Sequence, residues 1–106
     1  MDIADWRKQI DEIDRKLVEL LNRRAQAAHE IGKLKRQADM PIYEPDRERS
    51  VFANATKTNQ GPLPNVDLMR IYERIMDIMR KIQQEEIAPV QDAAVHDTEH
   101  DSDVND

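Results

Sequence analysis

The chain has 106 residues, 39% of them hydrophobic but only four aromatic (Trp6, Tyr43, Phe52 and Tyr72), enough for one domain with a thin core. It contains no cysteine, which excludes a disulfide framework, a thiolate metal site and a cysteine nucleophile. The net charge of −6 is concentrated in residues 88–106, which hold six acids and no Lys or Arg; taking those from the 22 acids leaves 16 in residues 1–87, equal to the 16 bases. A balanced body of this kind lacks the basic footprint of a nucleic-acid binder.

No apolar run approaches the length of a membrane span, and the opening "MDIADWRKQI" carries acids without the apolar stretch of a signal peptide. A cytoplasmic protein with no membrane association is expected.

From the N-terminus, Ile3, Trp6, Ile10, Ile13, Leu17 and Leu20, then Ala27, Ile31 and Leu34, recur in alternating steps of three and four with one vacancy. This spacing predicts one long helix with a coiled-coil-like seam. It should end before Pro41, because the residue preceding a proline is driven out of the α region. A helix from about residue 4 to 39 would be roughly 50 Å long. A compact monomer of this size has a radius of gyration near 13 Å, so an intertwined dimer is the economical way to bury the seam.

A second helix is predicted from Pro45 to about Lys57, with the proline at the first helical position and Asp46 and Glu48 complementing the N-terminal dipole. "NQGPLPN" then breaks the chain, with Asn65 as the N-cap of a third helix. That helix carries Leu68, Tyr72, Ile75, Met79 and Ile82 on one stripe and should end near Ile87, before Pro89. The result is an all-α fold: three helices per chain, one very long, in an intertwined helical homodimer. Residues 1–87 form the helical domain, and residues 88–106, poor in long aliphatics, an acidic disordered tail. His96 and His100 in that tail read as solvated.

Three positions break the pattern. The register 3-10-17-24-31 demands an apolar residue at 24, where the sequence has Arg24, and a charge in a helical seam is costly unless paired. A buried ion pair or an arginine snorkelling to the rim would explain it. Lys35 lies near the same angular position, roughly 16 Å along the axis, and the two cations could instead grip the ends of a small dianion. Gly32 costs roughly 1 kcal/mol against alanine in a helix, which suggests close approach by another backbone or a ligand. Gln83 falls on the inward stripe of the third helix, where its amide can donate to an oxygen without adding charge; an exposed amide near a helix end fits the pattern equally. Tyr72 reads as core and His29 as surface.

Taken together, "RKQIDEIDRKLVELLNRRAQAAHEIGKLK", "PIYEPDRER" and "IYERIMDIMRKIQ" resemble the all-helical chorismate mutases over residues 6 to about 86. The resemblance implies a homodimeric isomerase with two sites that converts chorismate to prephenate on the route to phenylalanine and tyrosine. Arg7, Arg24, Lys35, Arg47, Glu48 and Gln83 match substrate-binding residues of the family, and Glu44 sits where some members place an acid near the substrate hydroxyl. By resemblance, Arg7, Arg24 and Arg47 anchor the carboxylates, Lys35 and Gln83 meet the ether oxygen, and Glu48 accepts from the ring hydroxyl. Arg49 and Asp46 then belong to the solvated face. Some members carry a hydroxyl where this chain has Met79, so any hydrogen bond from there is lost.

The reaction is a unimolecular [3,3] rearrangement, so neither cofactor, metal nor nucleophile is expected. Arg7 and Arg24 are seventeen residues apart, about 25 Å along a helix, so a substrate touching both needs Arg7 from the partner subunit. The rival readings are elimination of pyruvate from isochorismate on the same fold, and a non-catalytic helical dimerisation or regulatory module. Arg24 in the seam argues against the latter, since a purely structural module would gain from an aliphatic residue there.

Overall fold

Two aspartates open the first helix. The backbone N–H of Asp5 donates to Asp2 Oδ1 at 2.9 Å and that of Asp2 to Asp5 Oδ2 at 3.1 Å, a reciprocal box that satisfies two orphan donors. The computed structural model describes residues 1–85, in which this helix, α1, spans Ile3–Gln37, followed by α2, Pro45–Thr58, and α3, Asn65–Gln84. Among the described residues there is no strand, and the predicted tail of residues 88–106 lies outside them.

The end of α1 is set by Asp39 rather than by Pro41. Asp39 adopts φ of 56°, its N–H donates to Arg36 O at 3.3 Å, and Met40 N–H reaches back to Lys35 O at 2.8 Å. These paired bonds around a left-handed residue form a Schellman motif, with aspartate where glycine is commonest. Pro45 takes the first position of α2 as expected, and Glu44 is its N-cap but makes no side-chain capping bond. α3 starts on the Pro64 carbonyl, which accepts from Asp67 N at 3.1 Å and Leu68 N at 3.0 Å. The expected N-cap, Asn65, is therefore inside the helix, and its Oδ1 accepts from Asn59 Nδ2 at 2.7 Å, bracing the loop. α3 also stops short of Ile87, because Glu85 is extended.

The described residues fall into two units, Met1–Arg24 and the stretch from Ala25 onward. In the first, Ile3, Trp6, Ile13, Leu17 and Leu20 of the predicted seam are all at least half exposed, and Ile10 is half-buried. In the second, α2 packs against α3, and Ala28, Val51, Met76 and Met79 are the buried apolar residues. The stripe predicted for α3 faces inward: Leu68, Tyr72, Ile75 and Ile82 are half-buried beside buried Met79. His29, expected at the surface, is half-buried instead, and its Nδ1 atom is buried without a hydrogen-bond partner. No described helix is long and apolar enough to cross a membrane.

Candidate active site

Among the described residues, Lys35 is the one charged residue that is buried, with 6% of its surface exposed. Burying an ammonium is tolerable only if its donors are all met, and an ammonium has three. Its Nζ donates to Ile42 O at 2.7 Å and to Gln83 Oε1 at 2.9 Å, and pairs with Glu44 Oε1 at 2.8 Å. Three elements supply these acceptors: the α1–α2 loop, the C-terminal turn of α3, and the N-cap of α2. Glu44 leaves its helix uncapped and uses its carboxylate on Lys35 instead.

Because a lysine only donates, the Gln83 amide must turn its oxygen toward Lys35. Its Nε2 is thereby left as the donor for another oxygen. The backbone around Gln83 is held from α1. Arg36 Nη1 donates to Gln83 O at 2.6 Å, satisfying a carbonyl that the helix end would leave orphaned and placing a cation at the negative end of the dipole. The same carbonyl lies against Gly32, where a Cβ would come within 2.7 Å of it. The close approach expected of Gly32 is thus to backbone.

An open pocket of about 530 Å³ adjoins this cluster, lined by apolar Ile31, Leu34 and Met40 and by polar Lys35, Gln37 and Glu44. That volume lies in the range of small-molecule sites.

Glu48 is half-buried and is held by a residue the sequence reading did not single out. Arg80 Nε donates to Glu48 Oε2 at 3.0 Å, and its Nη2 lies 2.8 Å from both carboxylate oxygens. The guanidinium also stands 5.1 Å from the centre of the Tyr43 ring, within cation–π range, and its Nη1 reaches Asp77 Oδ1 at 3.3 Å. Bonding to Glu48 is the main cause that raises the Arg80 guanidinium above its ordinary value, so it stays charged throughout the working pH range. Arg80 follows Met79 at the flank of the inward stripe, where the period of the apolar residues gives no signal for it. It shares a face with Met76, four residues before, and Gln83, three after.

Of the other expected site residues, Arg47 is exposed on α2 and donates weakly to Ser50 Oγ at 3.3 Å. Arg49 and Asp46 pair with each other on the solvated face, as expected. Arg7 and Arg24 belong to the first unit, Arg7 exposed and Arg24 half-buried. The structure therefore brings Lys35, Glu44 and Gln83 into direct contact, and ties Glu48 to α3 through Arg80. Among the described residues no group of His, Cys, Asp and Glu is arranged to hold a metal ion.

A three-helix chain with a buried, fully engaged lysine beside a helix-end glutamine defines an all-α protein with a small polar site. Residues 6–84 match the family profile of chorismate mutase type II, and the chain belongs to that family. It is 34% identical over 87 residues to a bifunctional chorismate mutase/prephenate dehydratase of Aquifex aeolicus, covering 78% of this chain and 24% of the relative. A chorismate mutase of Methanocaldococcus jannaschii is 36% identical over 55 residues, which is 52% of this chain and 56% of that one. Among solved structures, chorismate mutase (form II) from Thermus thermophilus superposes with a TM-score of 0.77 at 28% identity, covering 79% of this chain and 96% of that chain. The chain spans about a quarter of the length of the Aquifex relative.

Proposed function

We propose that the chain is a chorismate mutase that rearranges chorismate to prephenate, acting as a homodimer whose two sites each take Arg7 from the partner subunit. The observation that carries this reading is the Lys35–Gln83 pair, a cation and an amide held side by side by backbone contacts. Breaking the ether C–O bond while the new C–C bond forms places negative charge on the ether oxygen without any proton transfer. Lys35 Nζ and Gln83 Nε2 are donors suited to that oxygen, and preorganised donors at a developing charge supply much of the rate in such sites.

In the free protein Glu44 occupies one of the three Lys35 donors. Its side chain is 43% exposed, so it can swing toward solvent and yield that donor to substrate. Arg7, Arg24 and Arg47 would grip the two carboxylates, a task for which the guanidinium fork is suited, and hold the folded conformer. Glu48 would accept from the ring hydroxyl. The dimer is supported by the exposed seam residues Ile3, Trp6, Ile13 and Leu17, and by Ile31 and Leu34, which are exposed as well.

The test is an absorbance assay of purified protein with chorismate, and with isochorismate in parallel. Prephenate formation supports the proposal. Pyruvate release from isochorismate alone would move the assignment to the lyase, and no change with either substrate would leave a dimerisation module.

A further inference from the structure

We propose that Arg80 is a positioning residue for the site, fixing the carboxylate of Glu48 in one orientation so that Oε1 stays open as an acceptor toward a hydroxyl of the substrate. This rests on the reading of Glu48 as a substrate acceptor. A carboxylate offers about four lone-pair positions over its two oxygens. Arg80 engages both oxygens along one edge, with Nε–H on Oε2 and one Nη2–H shared between Oε2 and Oε1. The side of Oε1 turned away from the guanidinium is left as an acceptor. Glu48 keeps 18% of its side-chain surface exposed, so the side chain is not sealed off from a ligand.

The guanidinium is itself clamped. Asp77 takes Nη1, the centre of the Tyr43 ring lies 5.1 Å from the guanidinium carbon, and the Nε–Nη2 edge is committed to Glu48. A glutamate on a solvated helix face samples several rotamers, and holding it in one removes that entropy from the binding step. Arg80 also neutralises a carboxylate that would otherwise repel a dianionic substrate. It is carried on the same helix as Gln83, three residues earlier, so the acceptor for the hydroxyl and the donor for the ether oxygen are referred to one rigid element.

The experiment is a double-mutant cycle on the full chain, with Arg80→Met, Glu48→Gln and the double variant compared by kcat/KM and by thermal midpoint. Arg80→Met should lower kcat/KM by roughly 10- to 100-fold, the range for losing a hydrogen bond to a charged group. Glu48→Gln should lower it too, and the double variant should fall no further than Glu48→Gln alone. Removing both charges avoids stranding either one, so the double variant keeps the cycle readable even if Arg80→Met is poorly folded. Arg80→Lys keeps the charge but not the fork, and should recover the thermal midpoint more than kcat/KM. A purely structural bridge between α2 and α3 predicts otherwise: kcat/KM within about twofold of wild type, or losses that multiply in the double variant, and either result overturns the proposal. If Glu48→Gln alone leaves kcat/KM unchanged, the role of Glu48 fails and the proposal with it. If the unaltered protein does not turn over chorismate, it is the functional reading that fails.

Discussion

Gly32 on α1 and Gln83 on α3 meet backbone to backbone: a Cβ on residue 32 would stand 2.7 Å from the Gln83 carbonyl oxygen and 2.8 Å from its Cα. Nothing at that spot is the end of a flexible side chain that could step aside. Two effects oppose each other in Gly32→Ala. Helix propensity favours alanine by about 1 kcal/mol. Overpacking against a fixed group costs about 1–3 kcal/mol, and here the obstacle is main chain. The clash should win. We expect a lower thermal midpoint, by about 4–8 °C for each kcal/mol of net loss in a domain of this size. Activity should fall as well, because the displaced group carries the Gln83 amide. A raised midpoint with full activity would show that α3 moves aside freely.

Lys35→Ala should damage both chemistry and folding. Losing one preorganised donor to a developing charge costs a factor of roughly 10² to 10³ in rate. The structure adds a stability cost that the helical period alone does not suggest, since removal of the ammonium strands Ile42 O, Gln83 Oε1 and the Glu44 carboxylate. Each unmet buried partner costs about 1–3 kcal/mol, less for Glu44, which can turn to solvent. Turnover and thermal midpoint measured on one preparation check this; a rate loss with an unshifted midpoint would mean that water replaces the ammonium at no cost.

Gln83→Glu converts a pH-independent donor into a titrating one. Only the protonated acid can donate to the ether oxygen, whereas the ionised form pairs with Lys35 and repels the developing charge. The turnover number should therefore rise as pH falls through the pKa of the introduced carboxyl, while the unaltered protein shows no such rise. Adjacent Lys35 favours the ionised form, which pushes that rise toward lower pH. A flat profile in a folded variant would remove Gln83 from the mechanism.

The helices were legible because their signals are local: the seam spacing in α1, Pro45 opening α2, and the inward stripe of α3. The exact ends were less so. Asp39 ends α1 by taking a left-handed conformation, which aspartate tolerates but does not announce, and Asn65 is drawn into a contact with Asn59 that only the folded loop creates. Gly32 was legible for the opposite reason, since a helical glycine is locally unfavourable and so points to a tertiary cause. Arg80 and Arg36 gave no such sign. Both are ordinary helix residues whose importance comes from partners 32 and 47 positions away, Glu48 and Gln83. His29 misled because a lone histidine flanked by Ala28 and Glu30 carries no mark of which side it faces.

Mixed dimers test the shared site. Arg7 and Arg24 lie seventeen residues apart on α1, about 25 Å along a helix, further than one small substrate spans from a single chain. Consider subunits carrying Arg7→Ala and subunits carrying Lys35→Ala, each nearly inactive alone, unfolded together and reassembled in equal amounts. In a heterodimer one site unites the intact Lys35 of the first chain with the intact Arg7 of the second, and the other site collects both defects. Random pairing makes about half of the dimers mixed and repairs one of their two sites, so activity should recover to about a quarter of wild type. Were Arg7 to serve its own chain, every site would still carry a defect and mixing would restore nothing. Absence of recovery, with subunit exchange verified by mass, would reject the sharing of Arg7 between subunits while leaving the Lys35–Gln83 pair untouched.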